Sequence, residues 1–207
     1  MSILGGMERM GNPTIAPQER YTYRQYRSWP EAERWELIDG HAWVMTPAPM
    51  TRHQALLWRL SALLYIHLAG TPIKAYPAPF DVLLPRGDEK DDEVDTVVQP
   101  DISVFRDTTR ITKRGARGAP DLVMEILSPS TSKKDLNEKF RIYERHGVRE
   151  YWILDPAAWS VWVYHLRPDG AYDDGELRDS LGDTSPLASR VLEGFAVEPE
   201  ELFADLD

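Results

Sequence analysis

The sequence predicts an α/β fold of the α+β kind, in which a mixed β-sheet is flanked by helices and entered through an N-terminal β-hairpin. Three observations carry this reading. Two apolar runs, Trp35-Glu36-Leu37-Ile38 and His41-Ala42-Trp43-Val44-Met45, sit on either side of Asp39-Gly40, a strong short-range hairpin signal. From about Thr51 to Ala69, residues Leu56, Leu57, Leu60, Leu63, Leu64 and Leu68 form one apolar stripe at helical spacing, and Gly70 stops it. A strand–helix–strand step from Leu122 to Leu154 demands a parallel neighbour and a right-handed crossover, whereas the hairpin adds antiparallel strands, so the sheet must be mixed.

Taken in order, residues 1–20 read as a disordered leader, and 21–207 as a single domain of ordinary size. Tyr21 to Arg34 is expected to be helical with Thr22 as N-cap, and Pro30 interrupts it. Beyond the hairpin and the leucine-striped helix come three strand candidates bounded by Pro or Gly: Ile73–Tyr76, Phe80–Leu84 and Val97–Phe105. A basic loop leads to the apolar strand Asp121-Leu122-Val123-Met124-Glu125-Ile126-Leu127. Ser128-Pro129-Ser130-Thr131-Ser132 is a turn rich in capping residues, followed by a helix from about Lys133 to His146 that Gly147 ends. Glu150–Leu154 and Ser160–Leu166 are strands joined by Asp155-Pro156. The pattern then weakens into short strands and a helical turn at Pro199–Phe203.

Composition excludes several function classes. With no cysteine there is no disulfide, thiolate zinc site or cysteine nucleophile, in keeping with a cytoplasmic protein. The longest apolar stretch is broken by Arg59 and His67, so no membrane span is expected. A net charge of −10 argues against nucleic acid at long range, but the charge is segregated. The run Asp88–Asp95 holds six acids against one lysine and lacks the glycine and spacing of a calcium loop, whereas Arg110, Lys113, Arg114 and Arg117 share a segment without an acid.

The chemistry concentrates on two carboxylates. Glu125 lies among Leu, Val, Met and Ile, where a carboxylate is tolerated mainly when it is paired or binds a metal. Asp101 follows Pro100 in a second apolar strand. Phosphodiester cleavage needs an oriented, activated water and neutralisation of developing charge, and Mg2+ or Mn2+ supplies both when oxygen ligands leave positions open. Asp101 and Glu125 are hard ligands of the right type, and the Ile126 carbonyl is a third candidate. A lysine at 127 would share a face with Glu125, but the residue there is Leu127. Lys139 on the following helix is the substitute, one turn from Asp135 and from Tyr143.

The order Pro100-Asp101, then Glu125-Ile126-Leu127, resembles the PD-(D/E)XK nuclease superfamily. More closely, Glu36-Leu37-Ile38-Asp39-Gly40, Val98-Gln99-Pro100-Asp101, Glu125–Ser130, Lys139, Tyr143 and Glu150–Pro156 resemble the bacterial Uma-type family of restriction-endonuclease candidates, long described only as a domain of unknown function. The resemblance spans about Tyr23 to Phe203. It implies a restriction-endonuclease-like core, a divalent metal on Asp101 and Glu125, Lys139 as the displaced lysine, and Glu36 as a further acidic site residue. DNA is the implied substrate. The Arg110–Arg117 segment joins the two acidic strands and so starts or ends near the site, where it is suited either to contacting phosphate or to forming a solvated turn. Cutting both strands of a duplex takes two sites, so a homodimer is expected.

Plainer readings stand beside these. Asp101 is also suited to capping a turn after Pro100. Glu125 is also suited to pairing with an arginine such as Arg141, Lys139 to a solvated helix face, and Glu36 to an edge strand. His53 and Gln54 face either the site or solvent, and a lone histidine is more often structural. Tyr151 and Trp152 read as core. The functional alternatives to a metal-dependent endonuclease are a non-catalytic nucleic-acid- or protein-binding module of the same fold with a decayed site, which Leu127 favours, and a small-molecule phosphatase or hydrolase.

Overall fold

A computed structural model of the chain describes residues 20–30, 33–45, 50–128, 135–179 and 182–206. Apart from Arg20, the expected leader lies outside these residues, as do most of the Ser128–Ser132 turn and the start of the helix that follows it.

Helix α1 (Tyr23–Tyr26) is a single turn, much shorter than the expected Tyr21–Arg34. The Thr22 N–H donates to Gln25 Oε1 at 2.9 Å as half of a capping box, but the Ser28 hydroxyl bonds the Gln25 carbonyl and draws the backbone out of the helix ahead of Pro30. Strands β1 (Trp35–Ile38) and β2 (His41–Val44) form the expected hairpin, with Asp39 at φ +48° and Gly40 at φ +80° in its two-residue turn. Helix α2 (Thr51–Leu68) buries His53, Leu56, Leu60, Leu64 and Leu68 along one stripe.

Seven strands follow before the next helix: β3 (Lys74–Pro77), β4 (Val82–Leu83), β5 (Val97–Val98), β6 (Ile102–Phe105), β7 (Ile111–Thr112), β8 (Gly115–Arg117) and β9 (Leu122–Ile126). A π-helical turn at Asp135–Lys139 runs into α3 (Phe140–His146), which Gly147 ends in the left-handed region at φ +80°. After β10 (Glu150–Asp155), β11 (Ser160–His165) and β12 (Glu176–Asp179), a small ribbon of β13 (Leu187–Ala188) and β14 (Ala196–Val197) precedes α4 (Pro199–Phe203).

The strands divide into two six-stranded mixed sheets where one was expected. The first has the order β2-β1-β5-β4-β8-β7 and the second β12-β11-β10-β9-β6-β3. Each holds one parallel pair, β4 with β8 and β9 with β10, the latter being the neighbour that the strand–helix–strand step requires. The expected single strand Val97–Phe105 is the point of division: β5 belongs to the first sheet and β6 to the second. Pro100 explains the break, because it has no N–H for a ladder and its fixed φ turns the chain. Leu122, Met124 and Ile126 of β9 pack in the cluster that contains the α2 leucines, while Val123 packs with Ile142 and Tyr143 of α3. Alternation along β9 therefore points Glu125 toward α3.

Candidate active site

The break at Pro100 leaves two backbone N–H groups without ladder partners, and buried carboxylates from both sheets accept them. Gln99 N–H donates to Glu36 Oε1 at 2.8 Å, and Asp101 N–H reaches Glu125 Oε2 at a long 3.4 Å. Glu36 stands on β1 in the first sheet and Glu125 on β9 in the second. Both are buried, at 0% and 2% exposure, in positions where an unpaired charge is prohibitive.

Lys139 supplies the pairing. Its Nζ lies 2.8 Å from Glu125 Oε1 and 3.0 Å from Glu36 Oε1, so one ammonium bridges the two sheets. This corrects two readings from sequence: the partner of Glu125 is Lys139 and not Arg141, which is exposed, and Lys139 is buried and not on a solvated helix face. The Tyr143 hydroxyl donates to Glu125 Oε1 at 2.6 Å. Burial, reinforced by the Glu125 charge, holds this phenol well above its usual range, so it remains a donor. Lys139 and Tyr143 converge on Glu125 from one helix face, although the turn between Asp135 and Lys139 is π-helical, a distortion that often marks functional positions.

Asp101 is the most open acid of the group, its side chain 16% exposed. Its Oδ2 accepts the Ile126 N–H at 2.8 Å and faces His53 Nε2 at 3.1 Å, while its Oδ1 has no hydrogen-bond partner among the described residues. The contact seen from Ile126 is thus through its N–H. His53 opens the buried stripe of α2 and was, on sequence alone, a lone histidine without a signal beyond its place before the leucines. A cavity of about 230 Å3 runs beside it, lined by Arg52, Leu127, Ser128 and Asp155, where a lysine at 127 would have stood.

In the basic segment, Arg110 donates to the Ala119 carbonyl, and Arg117 bonds the Asp91 carboxylate at 2.9 Å and the Glu89 carbonyl. Lys113 and Arg114 are exposed at the tip of the β7–β8 hairpin. Another acid, Glu150 on β10, is fully buried, which the sequence did not foretell. It accepts Trp152 Nε1–H at 2.6 Å and the N–H groups of Arg190 and Val191 at 2.7 and 3.0 Å.

The donor set suits a divalent cation by charge and by type. Glu36, Asp101 and Glu125 are three hard-oxygen acids gathered around Lys139, and among the described residues Asp101 Oδ1 has no hydrogen-bond partner. Among the described residues no three of His, Asp and Glu form a ready metal cage, so such a cation would keep several waters, as magnesium does.

Fold and site together define a mixed α+β protein whose two sheets are joined by a buried acid–lysine cluster. The chain belongs to the Uma2 family, described as "Putative restriction endonuclease", whose model matches residues 23–200. It is similar to the uncharacterized protein slr1290 of Synechocystis, at 29% identity over 160 residues covering 75% of this chain and 79% of that protein. Its fold is also that of a crystal structure titled as a "putative nuclease belonging to DUF820" from Anabaena variabilis, with a TM-score of 0.69, 23% identity, and coverage of 89% of this chain and 98% of the other. Among the described residues no helix is long and apolar enough to cross a membrane.

Proposed function

We propose that this chain is a divalent-metal-dependent endonuclease that hydrolyses phosphodiester bonds in DNA, with residues 21–207 acting as one domain. The observation that carries the reading is the Lys139 ammonium held between Glu36 and Glu125, beside an Asp101 oxygen that has no hydrogen-bond partner among the described residues. Asp101 and Glu125, with the Ile126 carbonyl, would hold the cation. When bound, Mg2+ or Mn2+ would acidify a water and neutralise charge developing on the phosphate.

The chain's own residues do the rest. Glu36 and Tyr143 fix Lys139 and Glu125, so that the ammonium is oriented before substrate arrives and needs no reorganisation. Lys113 and Arg114 are the phosphate-contacting cations of the basic hairpin, and Arg110 and Arg117 shape it. The second copy needed for double-strand cutting would dock on α2. There Trp58, Tyr65 and Ile66 are 78%, 80% and 72% exposed, and Trp58, Ala62 and Tyr65 follow the i, i+4, i+7 spacing of one helix face. Sedimentation showing only monomer at micromolar concentration would remove the dimer.

The direct test is incubation of supercoiled and linear DNA with the protein in Mg2+, in Mn2+ and in a chelator. Cleavage that needs the metal, falls on the order of 100-fold or more in Lys139→Ala and vanishes in Glu125→Ala is the expected result. Leu127 favours the second reading, a non-catalytic binding module. DNA bound without cleavage in any metal would establish that reading instead.

A further inference from the structure

We infer that His53 is a positioning residue, which fixes the Asp101 carboxylate so that Oδ1 is the oxygen offered to the cation; the inference rests on the metal-site reading above. Its basis is geometric. A carboxylate oxygen can only accept, so the imidazole nitrogen 3.1 Å from Asp101 Oδ2 carries the proton. The same Oδ2 takes the Ile126 N–H at 2.8 Å. Two donors from two elements, one from α2 and one from β9, therefore pin one oxygen and set the rotation of the carboxyl group.

The other imidazole nitrogen argues against a purely packing role for His53. Nδ1 is buried and has no hydrogen-bond partner among the described residues, an unfavourable condition for a buried acceptor. His53 is only 8% exposed and begins the stripe that Leu56, Leu60, Leu64 and Leu68 continue. An apolar residue at this position would continue the stripe and remove the orphaned nitrogen. What it would not do is hold Asp101. Groups that orient a metal ligand in this way typically change metal affinity by 10–100-fold when removed.

The experiment is Mn2+ calorimetry, with thermal melts, on wild type, His53→Leu, His53→Gln and Asp101→Ala. The glutamine amide places an N–H donor near the position of Nε2, so His53→Gln should bind Mn2+ within a few-fold of wild type. His53→Leu should melt at or above the wild-type temperature yet bind Mn2+ on the order of 10-fold or more weakly. His53→Leu binding as wild type does would overturn the positioning role alone. So would parallel losses of melting temperature and affinity in both His53 variants, which would mark a structural residue. Wild type and Asp101→Ala showing the same affinity would overturn the metal site and the role of His53 with it.

Discussion

Glu125 and Glu150 stand on adjacent strands of one sheet, buried to 2% and 0% exposure, and they are held in opposite ways. Glu150 pairs in register with Leu122, at the start of the parallel β9–β10 pair, and Glu125 with Ile153 near its carboxyl end. The donors to Glu150 at hydrogen-bonding distance are neutral: an indole N–H and two backbone N–H groups, with His165 Nε2 more distant at 3.7 Å. Its charge ties the Arg190–Val191 loop to the sheet. Glu125 instead takes an ammonium shared with a second buried acid, a tyrosine hydroxyl, and a long contact from a neighbouring backbone that itself carries Asp101. A buried carboxylate is thus no sign of a site in itself. What sets Glu125 apart is that further acids, Glu36 and Asp101, gather around it at the carboxyl end of its strand.

The largest effect that tests this contrast is expected at Lys139. Lys139→Met leaves Glu36 and Glu125 buried without their ammonium, a loss on the order of 3–5 kcal/mol in chemical denaturation at neutral pH. The double change Glu36→Gln with Lys139→Met should recover part of that stability but none of the cleavage. A single variant as stable as wild type would break the picture of a bridging charge. Glu150→Ala comes next: it deprives buried N–H donors of their acceptor and should cost about 3 kcal/mol, with cation affinity per folded molecule unchanged. Asp101→Asn separates the two roles more finely, keeping the melting temperature close to wild type while weakening Mn2+ binding on the order of 10-fold.

Asp81 gives the smallest and most specific effect. Like Glu150 it has only neutral donors on the oxygen that is hydrogen-bonded, with Tyr26 and Gln99 both at 2.8 Å from Oδ1. Burial holds its carboxyl above the usual range, against the pull of those two hydrogen bonds. The folded state therefore keeps a proton that the unfolded chain has released. The stability it contributes is fully present below the unfolded pKa and is lost as pH rises through the folded one. Asp81→Asn should gain on wild type in melts across that window, and parallel profiles would contradict the assignment.

What the sequence made legible was local. Asp39-Gly40 dictates its hairpin whatever surrounds it, and the α2 leucines declare their face by spacing alone. Glu125 was visible because it interrupts an apolar run, and Lys139 because it shares a face with Tyr143. The division into two sheets was not visible, since it depends on which strands β5 and β6 pair with far along the chain, and Pro100 signals only that one ladder stops. The bridge from Glu36 through Lys139 to Glu125 joins residues from both sheets, so no spacing encodes it. Glu150 looked like any strand-end acid until the Arg190–Val191 loop closed on it. His53 carried no local mark that distinguishes a positioning histidine from one in the core.

The central claim, that the acid cluster around Lys139 is a cation site and the one around Glu150 is not, is tested most directly by Mg2+ and Mn2+ calorimetry on Glu125→Gln beside Glu150→Gln. Both changes keep the side-chain shape and remove one charge. The account predicts that Glu125→Gln weakens metal binding on the order of 10-fold or more while Glu150→Gln leaves it at the wild-type value. Equal affinities in the two variants would contradict it.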